Sequence, residues 1–317
     1  MRLLPSAQSY EWEAELSIEE GRVQEAKAAL NQASARGLDS SAVHYQRGRL
    51  SFLEGDTAAM HAQVGWADSR PGTGRILMGE SEFEAYHGRF RRARALFQRA
   101  LAVGPQGDLL PTMLARSVLR EAEVGNTARA RHAADSLIRR ESDKDAKLVL
   151  TVALARGGAT TAARAYADSF ARGFPRNTAV QKFFLPTING AIGLEEHDPA
   201  VALEALRPAE PYDLAWPEFN EAPIYPSYVR GLVYLQLHDG RRAAAEFQKL
   251  LDHPGMIGRT VTGALARLQL ARAQRMAGDT AAALGSYEAF LTLWQDADPE
   301  IPIYQAARAE YARLKKG

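Results

Sequence analysis

The chain has 317 residues, 46% hydrophobic and 24% charged, with a formal net charge of +1. That near-neutral balance gives no global attraction to phosphate backbones or membrane surfaces, so no nucleic-acid partner is expected. The absence of cysteine excludes disulfides, thiol catalysis and cysteine metal sites; no run of about 18 apolar residues is there to span a bilayer, and Met1-Arg-Leu-Leu-Pro5 is too short for a signal peptide.

Helical periodicity and turn residues divide the chain into paired helices. The first pair is predicted over about 9–37 with its break at Gly21-Arg22, and the second over about 39–70 with its break at Gly55-Asp56. Pro71-Gly-Thr-Gly74 closes the second pair. The third covers about 75–103, turning at His87-Gly88. The fourth covers about 111–141, opening on Pro111, a favourable first helical position, and turning at Gly125-Asn126. The fifth spans about 143–173 with Gly157-Gly158 at its turn, the sixth about 178–208 with His197-Asp198-Pro199. Between Pro208 and Pro226 five prolines and the aromatics Tyr212, Trp216, Phe219 and Tyr225 predict a non-helical, ordered loop lying against the array. The seventh and eighth pairs follow over about 227–253 and 260–295, the latter turning at Gly278-Asp279. After Pro299 and Pro302, the apolar Ile303, Ala307, Tyr311 and Leu314 oppose Arg308, Arg313 and Lys315, which predicts a capping helix over about 300–316.

After eight of these turns an alanine-sized residue or Met60 is followed four positions later by a residue that is usually large or aromatic: Ala26/Leu30, Met60/Val64, Ala93/Phe97, Ala130/Ala134, Ala162/Tyr166, Ala202/Leu206, Ala243/Phe247 and Ala283/Tyr287. Their spacings are 34, 33, 37, 32, 40, 41 and 40 residues. In the seventh pair Gly231 is expected to admit close helix approach, Tyr234 to lie one turn on, His238-Asp239-Gly240 to break the helix, and Pro254 to end the unit. A unit of this kind cannot bury its own apolar face and must stack on its neighbours. The expected fold is all-α, a right-handed superhelix of about eight helical hairpins plus a C-terminal capping helix, continuous over residues 1–317. In spacing and residue types the unit resembles the tetratricopeptide repeat, whose period is roughly 34 residues.

Phe184-Leu-Pro-Thr-Ile188, Pro208-Ala-Glu-Pro-Tyr212, Tyr225-Pro-Ser-Tyr-Val-Arg-Gly231, Glu246-Phe-Gln-Lys-Leu-Leu-Asp-His-Pro254 and Leu291-Thr-Leu-Trp-Gln-Asp-Ala-Asp-Pro299 carry a finer likeness. They resemble the C-terminal tetratricopeptide-repeat region of bacterial, acidobacterial-type, eukaryotic-like serine/threonine protein kinases. The resemblance implies a non-catalytic protein-interaction scaffold, the sensory or docking region of such a kinase. Related arrays also follow winged-helix domains of transcription regulators, which gives the alternative of an accessory sensing or self-association region. Kinase chemistry, where present, belongs to a separate domain, since this chain has no glycine-rich phosphate loop with its lysine strand, no His-Arg-Asp and no Asp-Phe-Gly. The compartment, cytoplasmic or periplasmic, depends on a membrane helix upstream of the segment.

No catalytic, cofactor or metal site is expected. Gly72-Thr-Gly74 lacks the third glycine and the preceding strand of a dinucleotide fingerprint and reads as a turn between pairs. The seven histidines, among them His44, His61, His87, His197 and His238, nowhere fall at metal-ligand spacing on one helix. Glu19-Glu20 and Glu195-Glu196 sit at helix ends without a partner base. Arg89, Arg91, Arg92, Arg94 and Arg99 form the solvated side of an amphipathic helix. Lys144, Lys147 and Thr151 fall short of the lysine and asparagine set that captures a chaperone's terminal carboxylates. The partner is expected to be a protein or peptide held on the face lined by the first helix of each pair, where aromatic residues and a few charges suit such contacts. Tyr45, Arg49, Glu82, Tyr86, Tyr225, Tyr228, Gln236 and Arg272 are the candidate contacts.

Overall fold

A computed structural model of the chain describes residues 6–68, 70–104, 110–215 and 224–316. These hold eighteen α-helices and no strand. In chain order the helices are α1 (Ala7–Glu19), α2 (Val23–Ala35), α3 (Ser41–Glu54), α4 (Thr57–Ala67), α5 (Gly74–Tyr86) and α6 (Phe90–Ala102). Then come α7 (Leu110–Glu123), α8 (Thr127–Ile138), α9 (Lys144–Arg156), α10 (Thr160–Gly173), α11 (Leu185–Glu195) and α12 (Pro199–Leu206). The last are α13 (Tyr225–Gln236), α14 (Gly240–Asp252), α15 (Pro254–Ile257), α16 (Val261–Met276), α17 (Thr280–Leu293) and α18 (Pro302–Leu314). They make eight hairpins and a capping helix, with the short α15 as an addition the sequence pattern does not signal.

By contact the described residues form two compact units, one from within 1–110 and 253–263, the other from within 111–252 and 264–317. In the first, α1, α3 and α5 are the first helices of three hairpins; α1 packs on α3 and α3 on α5. Tyr10, Ala14, Ile18, Ala26, Leu30, Val43 and Leu50 make one continuous apolar cluster there. In the second unit α9 packs on α11 and α11 on α13, again first helix to first helix. The cap α18 packs on α17, and its Ile303 N–H also donates to the Val124 carbonyl at 3.3 Å, so its start meets the turn after α7.

Within a hairpin, close approach is set by a small residue on one helix against a large one on the other. A Cβ added at Gly231 would lie 2.7 Å from the Phe247 ring, and one at Gly190 would lie 2.5 Å from Leu206. In the third hairpin the Ser81 hydroxyl donates to the Ala93 carbonyl at 2.6 Å, a bond that needs the two backbones just as close. Helix starts are fixed by aspartates: Asp56, Asp143, Asp198 and Asp279 accept from the N–H three residues on, each a cap worth about 1 kcal/mol.

The repeat pairs are buried as expected at Ala26/Leu30, Ala93/Phe97, Ala130/Ala134, Ala202/Leu206, Ala243/Phe247 and Ala283/Tyr287, while Val64 is half-buried beside the buried Met60. The fifth pair is one residue out of register. Ala163, Ala167 and Phe170 are buried, and Ala162 and Tyr166 only half so. Thr160-Thr-Ala-Ala-Arg-Ala165 holds no large apolar residue to set the frame, so Phe170 sets it from the next turn, and its i−3 and i−7 neighbours follow it inward.

The breaks at His197-Asp198-Pro199 and His238-Asp239-Gly240 fall where expected, but the residues in the left-handed region are His197, φ 57°, and His238, φ 56°, so Gly240 does not supply the turn's backbone angle. Gly240 instead allows contact with the eighth hairpin, since a Cβ there would fall 2.5 Å from the Ala273 carbonyl oxygen. Pro254 does not simply end a unit but begins α15.

The proline-rich stretch is partly helical, against expectation. Arg207–Tyr212 forms a 3-10 helix and Pro226 sits in the first turn of α13, where its missing N–H has no intrahelical partner. Asp213 then anchors the chain, accepting from Arg230 Nη2 at 2.5 Å and Lys249 Nζ at 2.9 Å. The expectations for Trp216 and Phe219 lie outside the described residues. A π-helical segment, Ala179–Phe184, leads directly into α11. Pro186 there has no N–H for the Lys182 carbonyl, and the Thr187 hydroxyl donates to Phe183 O at 2.6 Å.

Phe247 is fully buried against Gly231 and Tyr228. Phe247→Ala is expected to cost about 3–5 kcal/mol by urea unfolding, and residue-resolved hydrogen exchange should show the loss centred on α13 and α14. Equal loss of protection in every hairpin of both units would contradict the nearest-neighbour coupling of a repeat fold.

Candidate functional site

The first helices carry the residues expected to meet a partner, and in each unit those residues are largely engaged with the chain itself. In the first unit Arg49 of α3 bonds Glu15 at 3.2 Å and Glu19 at 3.0 Å on α1. Tyr45, half-buried, lies under two guanidinium groups: Arg75 of α5 at 4.2 Å from its ring centroid and Arg259 at 5.2 Å. Arg75 also bonds Glu11 of α1 at 2.5 Å, so α1, α3 and α5 are stitched together across this face. Tyr86 is buried, edge-on to Phe52 with ring centroids 5.0 Å apart, and Glu82 is half-buried one turn before it.

Across that face runs the segment 253–263. Its α15 packs on α1, where Gly255 comes so near that a Cβ would fall 1.9 Å from the Ile18 carbonyl oxygen. Gly263 reaches the Tyr86 ring, its would-be Cβ 3.4 Å from the edge. Arg259, 6% exposed, is the residue that sequence reasoning missed. Its guanidinium occupies the gap between Gly48 of α3 and Gly79 of α5; a Cβ on Gly79 would stand 2.7 Å from Nη2. The signal was available in part, because a glycine inside a helix costs about 1 kcal/mol relative to alanine and implies a close approach. Nothing local named the approaching group.

Beside Arg259 the Glu80 carboxylate is buried and held by His61 at 3.0 Å. Burial pushes its pKa up and the nearby Glu84 adds to this, against the pull of His61 and Arg259. Glu84, itself buried, is paired with Arg89 and with Arg92 at 3.1 Å, while Arg99 bonds Asp68 at 2.5 Å, so the basic run on α6 is in large part neutralised. At the end of the second hairpin Trp66 stacks on His44 at 3.8 Å, and the Arg70 guanidinium lies 4.5 Å from its ring centroid. Gly72-Thr73-Gly74 is the expected turn, with the Thr73 hydroxyl donating to Ala67 O at 2.9 Å.

In the second unit the same helix faces meet in a buried polar network. Glu123 at the end of α7 is fully buried and accepts from Arg156 Nε of α9 at 2.8 Å and from the Tyr225 hydroxyl of α13. Arg156 also pairs with Glu195 of α11. Burial, then the Glu123 charge, push the Tyr225 phenol well up, so it stays a donor. Tyr228 is fully buried and its phenol is likewise raised by burial. Gln236 Nε2 donates to Leu194 O at 2.9 Å. Arg272 of α16 makes a two-point contact with Glu310 of the cap, at 2.9 and 2.8 Å, and Tyr287 donates to the same carboxylate at 2.8 Å. Glu123, Arg156, Glu195 and Glu310 were not among the expected contacts.

Tyr45, Arg49, Glu82 and Tyr86 thus share one face of the first unit, and Tyr225, Tyr228, Gln236 and Arg272 the inner side of the second. Tyr86, Tyr225 and Tyr228 are buried, and the other five are half-buried. Among the described residues no group of three or more His, Cys, Asp or Glu could hold a metal ion, and no helix is long and apolar enough to cross a membrane.

Burial alone would raise the Glu310 pKa, but the bonds from Arg272 and Tyr287 outweigh it and hold it below the ordinary carboxylate range. Its stabilisation is therefore complete above the ordinary value near about 4.3 and is lost as pH falls through the lower folded value. Glu310→Gln is expected to cost about 1.5–3 kcal/mol at pH 7 and to flatten the loss of stability on acidification. A variant whose unfolding free energy follows the wild-type pH curve in parallel would contradict this.

The tetratricopeptide-repeat family model matches residues 112–178 and 228–300, which cover the fourth and fifth hairpins and the seventh and eighth. No curated protein sequence matches the chain. The small-to-large packing between helices, the stacking of first helix on first helix and this match agree: the chain carries tetratricopeptide repeats, and its fold class is all-α of the tetratricopeptide-repeat kind.

Proposed function

We propose that the chain is a non-catalytic protein-interaction scaffold whose first-helix faces take peptide segments of a partner protein. Tetratricopeptide repeats typically bind protein partners, and their all-helical fold is generally non-catalytic. The observation that carries the reading is the segment 253–263, a connector made of α15, the turn 258–260 and the start of α16, which rests on α1, α3 and α5 with an arginine inserted between two helices. A face that accepts that segment has the depth, aromatic floor and charges to accept a peptide. The half-buried Tyr45, Arg49, Glu82, Gln236 and Arg272 supply the contacts in this reading, and the buried Tyr86, Tyr225 and Tyr228 hold the helices that present them.

The finer assignment is the sensory or docking region of a bacterial serine/threonine protein kinase. It is supported by the resemblance of Phe184-Leu-Pro-Thr-Ile188, Tyr225-Pro-Ser-Tyr-Val-Arg-Gly231 and Leu291-Thr-Leu-Trp-Gln-Asp-Ala-Asp-Pro299 to such regions. The reading frame that contains the segment tests it directly: a kinase domain upstream supports it, and a winged-helix DNA-binding domain replaces it with an accessory role in transcription.

The scaffold itself is tested by selecting a phage-displayed peptide library on the pure chain. Selected peptides are expected to lose about tenfold in affinity, ~1.4 kcal/mol, with Glu82→Ala or Gln236→Ala and to be unaffected by Asp168→Asn on the exposed side of α10. Failure to enrich any peptide, or binders indifferent to every inner-face substitution, would contradict the reading.

A further inference from the structure

The segment 253–263 meets the first unit through three residues that act in sequence. Ile257 is buried at 5% exposure. Gly258 takes φ 53° and ψ −140°, a backbone state that L side chains rarely adopt, and this turns the next residue inward. Arg259 then lays its guanidinium in a slot that the sequence keeps open by glycine on both walls: a Cβ on Gly79 would meet Nη2 at 2.7 Å and one on Gly48 would meet Nη1 at 3.4 Å. The floor is the Tyr45 ring, 5.2 Å from Cζ, and the buried Glu80 carboxylate lies close enough to feel the charge. An aromatic face, a buried carboxylate and two bare helix backbones make a receptor for a planar cation.

The occupant fits this receptor incompletely. Arg259 Nη2 is buried and finds no protein acceptor, and a small cavity beside the guanidinium is lined by His44, Met60, Gln63 and Ile76. A buried donor left without an acceptor costs free energy, so the segment holds this slot less firmly than its burial alone implies.

We propose that the face formed by α1, α3 and α5 is a binding site for arginine-bearing peptides, and that residues 253–263 are its built-in occupant. The partner segment that displaces them carries an aliphatic residue, a glycine and an arginine in that order. The inference rests on the scaffold reading above and names the ligand class for one of its faces.

The test uses a fluorescein-labelled synthetic peptide with the sequence of residues 252–262 and the full chain, read by fluorescence anisotropy. Internal competition lowers the apparent affinity of the wild-type chain by the fraction of time its site is free, so Arg259→Ala is expected to bind the peptide about tenfold or more tightly than wild type. The same peptide with its arginine replaced by alanine should bind neither chain, and adding Gly79→Val to Arg259→Ala should abolish binding by filling the slot. A folded Arg259→Ala chain that binds no better than wild type overturns the proposal. Should that variant not fold, hydrogen exchange of the wild-type chain decides: excess peptide is expected to deprotect residues 255–263, the alanine peptide not, and unchanged protection overturns the proposal. Library peptides that bind while 255–263 stays protected remove this inference and leave the scaffold reading standing; a library that yields no binder removes the scaffold reading itself.

Discussion

The fold depends on how closely two helices of a hairpin can approach. At Gly231 against Phe247 and Gly190 against Leu206 the absence of one Cβ lets a whole side chain of the partner helix occupy the space. The third hairpin reaches the same closeness with a Ser81 to Ala93 hydrogen bond. Where a hairpin is closed in this way on one side, its first helix keeps a second side that must be covered by something else. Neighbouring first helices cover part of it. The remainder is the inner face, and what lies on it distinguishes the two units.

In the second unit the inner face is covered by charge pairing. Glu123, Arg156, Tyr225 and Glu195 come from four different helices, and Arg272, Glu310 and Tyr287 from three more. Removing two charges from water is expensive, so such pairs add little net stability over apolar packing, yet breaking one leaves a buried charge alone. Their consequence is geometric: each carboxylate accepts only when its helices sit in one register. In the first unit ion pairs of Arg49 and Arg75 likewise join α1, α3 and α5, but the rest of the inner face is covered by one connector, with Gly255 on the end of α1 and Arg259 in its slot. A face covered by a few residues of one segment is easier to vacate than one covered by a network across several helices, and the functional reading follows from that difference.

The hairpins were legible in the sequence because turn glycines, capping aspartates and small-to-large pairs repeat, and each repeat supports the next. Gly231 and Phe247 were read correctly since both lie in one unit. The fifth pair was misread by one residue because its alanines are alike and only Phe170 tells them apart. Aspartate-flanked His197 and His238 took the left-handed role that glycine usually fills, a choice that local propensity underrates. Prolines between 208 and 226 argued against helix, but a 3-10 turn needs fewer of the hydrogen bonds that proline cannot make. Arg259 was legible only as an unnamed close approach at Gly48 and Gly79. It sits in the connector between α15 and α16, and its partners Tyr45, Gly48 and Gly79 lie far earlier in the chain. The candidate contacts were placed on the right helices, but the charges that hold them in pairs, such as Glu123 and Glu310, belong to other repeats.

Arg259 fills the gap that Gly79 leaves, and a double-mutant cycle measures that contact directly. Gly79→Ala should destabilise the wild-type chain in urea unfolding, because the new Cβ stands 2.7 Å from the guanidinium. In the Arg259→Ala background the same change should become neutral or stabilising by up to about 1 kcal/mol, since alanine is the better helix former once the slot is empty. A Gly79→Ala effect of the same sign and size in both backgrounds would contradict the claim that the two residues meet.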